Sequence, residues 1–154
     1  MVAAVLKDVR PHHFCIAVPD IEKAIGFWTE IFGFSTKFRF DIPAIKAKGA
    51  FLKFPGIEIE LFELAGAKPV PEERKQPNTD LMTNGNKHMA FRVPDVQAAI
   101  NAIVKAGVKV VAVRRSFDRP MEHEADPTGD RKAIACFAQD PFGSLFELVG
   151  PETD

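Results

Sequence analysis

Apolar and other side chains alternate through residues 13–18. Phe14, Ile16 and Val18 fall on one side of an extended segment and His13, Cys15 and Ala17 on the other, the period of a strand with one face in a core. Asp20 follows a proline and opens a run of helical period, so it is expected to cap a helix over 21–31 that stops at Gly33. Three more runs, 34–40, 45–54 and 57–64, read as strands, with turn signals at Asp41-Ile42-Pro43 and Pro55-Gly56 between them. The plan then returns: a strand at 88–93, a helix at 95–105, and strands near 109–114, 132–138 and 144–149.

The two halves are copies of one another. HFCIAVPDIEKAI, residues 13–25, aligns without gaps on HMAFRVPDVQAAI, residues 88–100, and such self-similarity marks one supersecondary unit used twice. In the closing strands Gly56 and Glu60 correspond to Gly143 and Glu147. The offset grows from 75 residues at the histidines to 87 at the glutamates, so the second copy holds 12 additional residues before its last strand. The aperiodic stretch 115–131, with Pro120, Pro127 and Gly129, accounts for them, and a second aperiodic stretch, 65–87, joins the copies. Both are expected at the surface, as lids, pocket walls or solvated connectors. The organisation is α+β: two tandem βαβββ modules, about 10–64 and 88–150, within one domain spanning 1–154.

Strand alternation decides which side chains converge. The helix of each module must cover one face, and Phe14/Ile16/Val18, Ile57/Ile59/Leu61, Met89/Phe91/Val93 and Phe146/Leu148 suit that face. His13, Glu60, His88 and Glu147 are left on the opposite one. Burying carboxylates is costly unless something positive neutralises them; two imidazoles and a divalent cation would do so. Packing would be served better by apolar residues, so a repeat that keeps His at its start and Glu at its end points to a metal site. Mixed nitrogen and oxygen donors suit zinc, nickel, cobalt, manganese or ferrous iron. His12 loses on register, since Lys87 stands at its counterpart, and Glu63 points away from Glu60. Glu58 shares the site face and is a candidate for substrate contact or proton transfer. Arg92 has the same facing as His88 but aligns with Ala17, which makes it a candidate to bind a carboxylate, phosphate or thioester-linked group. The inserted loop brings Arg119, His123, Arg131 and Lys132, with His123 the candidate for substrate contact.

Composition narrows the partners. With 154 residues, 46% of them hydrophobic, the chain suffices for one compact core. Its 20 basic and 21 acidic residues nearly cancel, so no global field recruits nucleic acid or an anionic membrane, and a small molecule is the expected partner. No apolar stretch approaches the roughly 20 residues of a membrane span, and the opening MVAAVLKDVRPHH has too short an apolar run for a leader peptide. A cytoplasmic location is expected, with Cys15 and Cys136 reduced as core or pocket-wall residues.

The motifs HHFCIAVPDIEKAIGFW, GIEIELFEL, KHMAFRVPDVQAAI and QDPFGSLFELVG resemble the vicinal oxygen chelate superfamily. Its members include glyoxalase I, methylmalonyl-CoA epimerase, extradiol dioxygenases, fosfomycin resistance enzymes and bleomycin resistance proteins. The resemblance implies a cupped mixed sheet with helices on its outer face. It also implies one divalent metal ion at His13, Glu60, His88 and Glu147, and a homodimer. The ligand set looks like that of bacterial glyoxalase I, and like that of the epimerase apart from a glutamine usual there at Glu60. Glyoxalases typically carry an arginine where Ala17 stands, and the absence of tyrosine sets the chain apart from ring-cleaving dioxygenases.

The implied chemistry is that of a lyase or isomerase: proton transfer next to a carbonyl through an enediolate or enolate, with Glu147 or Glu60 as the catalytic base. Two alternatives stand beside it, a ferrous extradiol-type dioxygenase and a drug- or metabolite-binding protein of bleomycin-resistance type.

Overall fold

A computed structural model describes residues 9–151; residues 1–8, on which most of the expectation about a leader peptide rests, lie outside the described residues. The chain forms two compact units, Met1–Ala67 and Lys68–Asp154. Their boundary falls inside the expected linker 65–87, most of which belongs to the second unit. Each unit is one βαβββ module, so the α+β organisation is as the repeat foretells.

In the first unit β1 (His13–Val18) leads into α1 (Ile21–Phe32), followed by β2 (Ser35–Ile42), β3 (Ala47–Phe54) and β4 (Ile57–Leu64). The sheet order is β1-β4-β3-β2, with β1 and β4 parallel and the other pairs antiparallel. The second unit repeats this with β5 (Met89–Arg92), α2 (Val96–Lys105), β6 (Val110–Arg114), β7 (Ala135–Gln139) and β8 (Leu145–Val149), in the order β5-β8-β7-β6. Among the described residues no helix is long and apolar enough to cross a membrane.

The Val-Pro-Asp repeated in each copy is a helix start. Asp20 accepts a hydrogen bond from Lys23 N and Asp95 one from Ala98 N, each satisfying an amide that the first turn leaves unpaired. Glu63 adds to the first of these ends, accepting from Ile21 N at 2.8 Å, where a carboxylate also meets the positive end of the helix. That contact places Glu63 on the helix side, away from Glu60.

Trp28, Phe34, Leu52, Ile59 and Leu61 are almost wholly buried in the first unit, and Ile100, Val113, Cys136, Phe146 and Leu148 in the second. Each such aliphatic or aromatic side chain contributes about 1.5–3 kcal/mol by leaving water. Gly56 and Gly143 turn the chain into β4 and β8 with φ of 86° and 95°, a left-handed conformation that favours glycine. The turns fix register, and register decides that the glutamate four residues later faces away from the helix.

Candidate metal centre and adjoining cleft

In the first unit the ladder pairs His13 with Glu58, and Cys15 with Glu60. All four side chains therefore share the face opposite α1, and His13 Nε2 stands 3.4 Å from Glu60 Oε2. The imidazole is held on two sides. Its Nδ1 lies 2.7 Å from His12 Nδ1, and its ring packs edge-on against Phe51 at 5.2 Å between centroids. Phe51 is the ladder partner of Glu60. With Nδ1 occupied by His12, Nε2 is the nitrogen directed toward the carboxylate.

The second unit builds the same arrangement. His88 lies just before β5, two residues from Ala90, which pairs with Glu147, and His88 Nε2 is 3.2 Å from Glu147 Oε2. Phe137, the ladder partner of Glu147, packs edge-on against His88 at 4.9 Å. The preceding residue, Lys87, is anchored in the folded linker: its Nζ donates to the carbonyls of Asp80 and Thr83 and to Asp80 Oδ2.

Both pairs suit a metal. With bonds of about 2.1 Å to a first-row ion, neighbouring donors stand roughly 3.0 Å apart in octahedral and 3.4 Å apart in tetrahedral geometry; the observed 3.4 and 3.2 Å fall in that interval. Imidazole and carboxylate are the donor types such an ion takes. Among the described residues no three His, Cys, Asp or Glu side chains form a ready-made metal cluster, so each unit offers a two-donor half-site.

Cys15 and Glu58 surround the first half-site. The Cys15 thiol is pushed up by burial, by the charge of Glu60 and by its hydrogen bond to that carboxylate, which keeps it protonated. Glu58 is an ion pair with Lys37 at 2.7 Å. That hydrogen bond, the charge of Lys37 and the nearby His12 and His13 hold its carboxyl below the usual range, while its second oxygen is buried without a partner. Cys136 is a core thiol, raised to about 12 chiefly by burial.

An open cleft of about 960 Å³ adjoins Glu147 within the second unit, with Arg92 and Lys132 in its lining. The inserted segment forms a tied-down wall. Arg115 donates to both oxygens of Glu124 at 2.8 Å, Gln97 Nε2 donates to Pro127 O at 3.0 Å, and Asn101 exchanges hydrogen bonds with Gly129. Met121 packs on Val111, Ala112, Phe137 and Leu145. His123 is placed elsewhere: its Nδ1 sits 2.8 Å from Val111 O, and it is not among the residues lining the cleft. Arg131 pairs with Glu124.

Sequence reasoning overlooked three groups. His12 precedes β1 and so escapes the alternation that excluded it; the adjacent histidines were the available signal. Phe51 and Phe137 were hidden because the turn between Phe and Glu is one residue longer in the second copy. Arg114, also in the lining of the cleft, lies beyond a register shift in β6, which strand periodicity does not disclose.

Residues 12–122 match the family model of the glyoxalase/bleomycin resistance protein/dioxygenase superfamily. A 2-epi-5-epi-valiolone epimerase from Actinomyces sp is 31% identical, over 92% of this chain and 79% of that protein. A lactoylglutathione lyase of Arabidopsis thaliana is 28% identical over 89% of this chain, which spans 42% of the plant protein. The trypanothione-dependent glyoxalase I of Leishmania major shares the fold with a TM-score of 0.62 at 22% identity, covering 90% of this chain and 84% of that one.

Proposed function

Since the chain belongs to the glyoxalase/bleomycin resistance protein/dioxygenase superfamily, we propose that it is a metal-dependent isomerase, epimerase or lyase that moves a proton next to a carbonyl of a small oxygenated substrate. The observation that carries this reading is the repeated His–Glu pair, with Nε2 and carboxylate oxygen 3.4 Å apart in one unit and 3.2 Å apart in the other. His13, Glu60, His88 and Glu147 would hold one divalent ion, in a homodimer. When bound, that ion supplies Lewis acidity for an oxygen that gains negative charge.

The remaining chemistry belongs to the chain. Glu147 lines the cleft whereas Glu60 does not, and Glu60 is engaged by the Cys15 thiol; Glu147 is therefore the better base. A carboxylate that takes a proton from one carbon and returns it to the neighbouring carbon on the same face gives isomerisation; epimerisation would further need a second acid to deliver a proton to the opposite face. Phe137 packs edge-on against His88 and pairs with Glu147 in the ladder, which holds the imidazole beside that carboxylate.

The test is elemental analysis of the purified protein with a thermal-shift series across divalent metals, repeated on His88→Ala. One ion per site, lost with chelator and lost in the variant, is the expected result. Nickel, cobalt or zinc fits the proton-transfer chemistry, and stoichiometric iron would instead favour the dioxygenase. Unchanged metal content in His88→Ala would overturn the four-ligand site, and no metal with no thermal response would make a binding protein the better reading.

A further inference from the structure

The two candidate histidines are not held in the same way. β1 runs six residues and includes His13, whereas β5 runs four and starts one residue after His88. In the first unit the ladder extends through both adjacent histidines: His13 stands opposite Glu58, and Glu58 N donates to His12 O at 3.0 Å. His12 Nδ1 then meets His13 Nδ1 at 2.7 Å. His88 has neither support. It belongs to no ladder pairing among the described residues, and the residue before it is Lys87, where the first copy carries His12. A residue beyond the end of an edge strand frays unless something else ties it down.

The segment that joins the copies supplies the tie. Its hub is Asp80, whose side chain is only 8% exposed. Arg74 Nε donates to Asp80 Oδ2 at 2.8 Å, and Lys87 Nζ donates to the same oxygen at 3.1 Å, to the Asp80 carbonyl at 2.5 Å and to the Thr83 carbonyl. The other end of the segment is fixed to the sheet. Gln139, at the end of β7, donates through Nε2 to Lys75 O at 2.7 Å. The Lys75 stem lies over the turn into β8, 3.0 Å from where a Cβ on Gly143 would stand. A cavity of about 70 Å³ lies along the segment, with Arg74, Asp80, Lys87 and His88 in its lining.

A solvated connector needs none of this. Burying a carboxylate is costly unless it is paired, and its two cations here come from six residues before it and seven after. Asp80 therefore fixes the course of the whole segment, and that course ends at His88. The imidazole emerges with Nε2 3.2 Å from Glu147 Oε2 and its ring edge-on to Phe137.

We propose that residues 74–87 are a positioning clasp for His88, in which Asp80 and Lys87 do for the second half-site what the β1 ladder and His12 do for the first. The inference rests on the proposed function for the role of His88 as a metal ligand, but the placement of its ring beside Glu147 is a property of the second unit alone. Asp80 is a positioning residue that acts through Lys87 on the backbone at His88. Partners of this kind, which orient a ligand without touching the ion, govern metal affinity by about tenfold or more.

The test is proton NMR of the histidine rings in chelator-treated full-chain protein, followed by cobalt titration of the same samples. The His88 ring lies in the ring current of Phe137 and the His13 ring in that of Phe51, so the C–H resonances of each report its own placement. Asp80→Asn should shift or broaden the His88 resonances, leave those of His13 in place and weaken cobalt binding about tenfold. Glu72→Gln, which removes an exposed ion pair just before the clasp, should change none of these. Lys87→Met leaves Asp80 paired with Arg74 and carries the test if the asparagine variant does not fold. Unmoved His88 resonances in Asp80→Asn and Lys87→Met, an equal disturbance of His13, or the same effect in Glu72→Gln would overturn the proposal. Asp80-dependent placement of His88 in a protein that takes up no cobalt would sink the metal site and leave the clasp standing. Cobalt binding indifferent to Asp80, with His88 unmoved, would do the reverse.

Discussion

Arg115→Met is expected to destabilise the second unit by about 3 kcal/mol. The guanidinium donates to both Glu124 oxygens at 2.8 Å, to Gln97 Oε1, and to the carbonyls of Arg131 and Lys132 at 3.1 and 3.3 Å. The side chains of Arg115 and Glu124 are only 11% and 10% exposed. Methionine replaces the volume but leaves a nearly buried carboxylate and the Gln97 amide oxygen short of donors. Removing one partner of such a pair costs about 3–5 kcal/mol, and the lower end applies because Glu124 keeps Arg131.

The sign with pH follows from Glu124, whose carboxyl is held below its usual range first by the hydrogen bond from Arg115. That stabilisation is present above the unfolded carboxylate range and is lost as pH falls through the folded value, so wild type and variant should converge in acid. The only tryptophan, Trp28, lies in the first unit, so fluorescence would miss the event. Urea unfolding followed by circular dichroism, with hydrogen exchange at the Ile134 and Glu122 amides bonded to β6, would report it. A loss under about 1 kcal/mol, or an Arg115→Met/Glu124→Leu double variant no more stable than the single one, would refute the buried-pair reasoning.

Other expectations follow from the same geometry. Asp20→Ala and Asp95→Ala should each cost about 1 kcal/mol by removing a helix cap, additively because they act in different units; urea midpoints of the single and double variants check this. Asp80 is held down to about 2 by hydrogen bonds from Thr83, Lys87 and Arg74. Its contribution is therefore complete above about pH 4 and fades as pH falls toward 2. The stability gap between wild type and Asp80→Asn, measured by urea unfolding at pH 5 and pH 3, should narrow at the lower pH; a constant gap would show that these donors do not stabilise the carboxylate.

Much of the fold was legible because its signals are local. Period-two alternation, the Val-Pro-Asp caps and the repeat at a fixed offset located both modules, with strand and helix ends within about three residues. The same alternation put His13 and Glu60 on one face of their sheet, since a residue's side of a strand is decided by parity alone, and the repeat carried the assignment over to Glu147 and to His88, one residue before β5. Parity does not reach residues outside strands, which is why His12 was set aside and why His123, carried on the insertion, lies against β6 rather than in the cleft.

What the sequence by itself determined is the duplicated βαβββ unit and the facing of its four chemical residues, because both follow from backbone geometry and turn register. Only the tertiary structure decided how the 12-residue insertion folds into a wall through Arg115 and Glu124, which phenylalanine orients each histidine, and which side chains line the cleft of the second unit. Those depend on strand order and on a register shift in β6, long-range pairings whose partners are set by the packing of the whole unit rather than by any stretch of neighbouring residues.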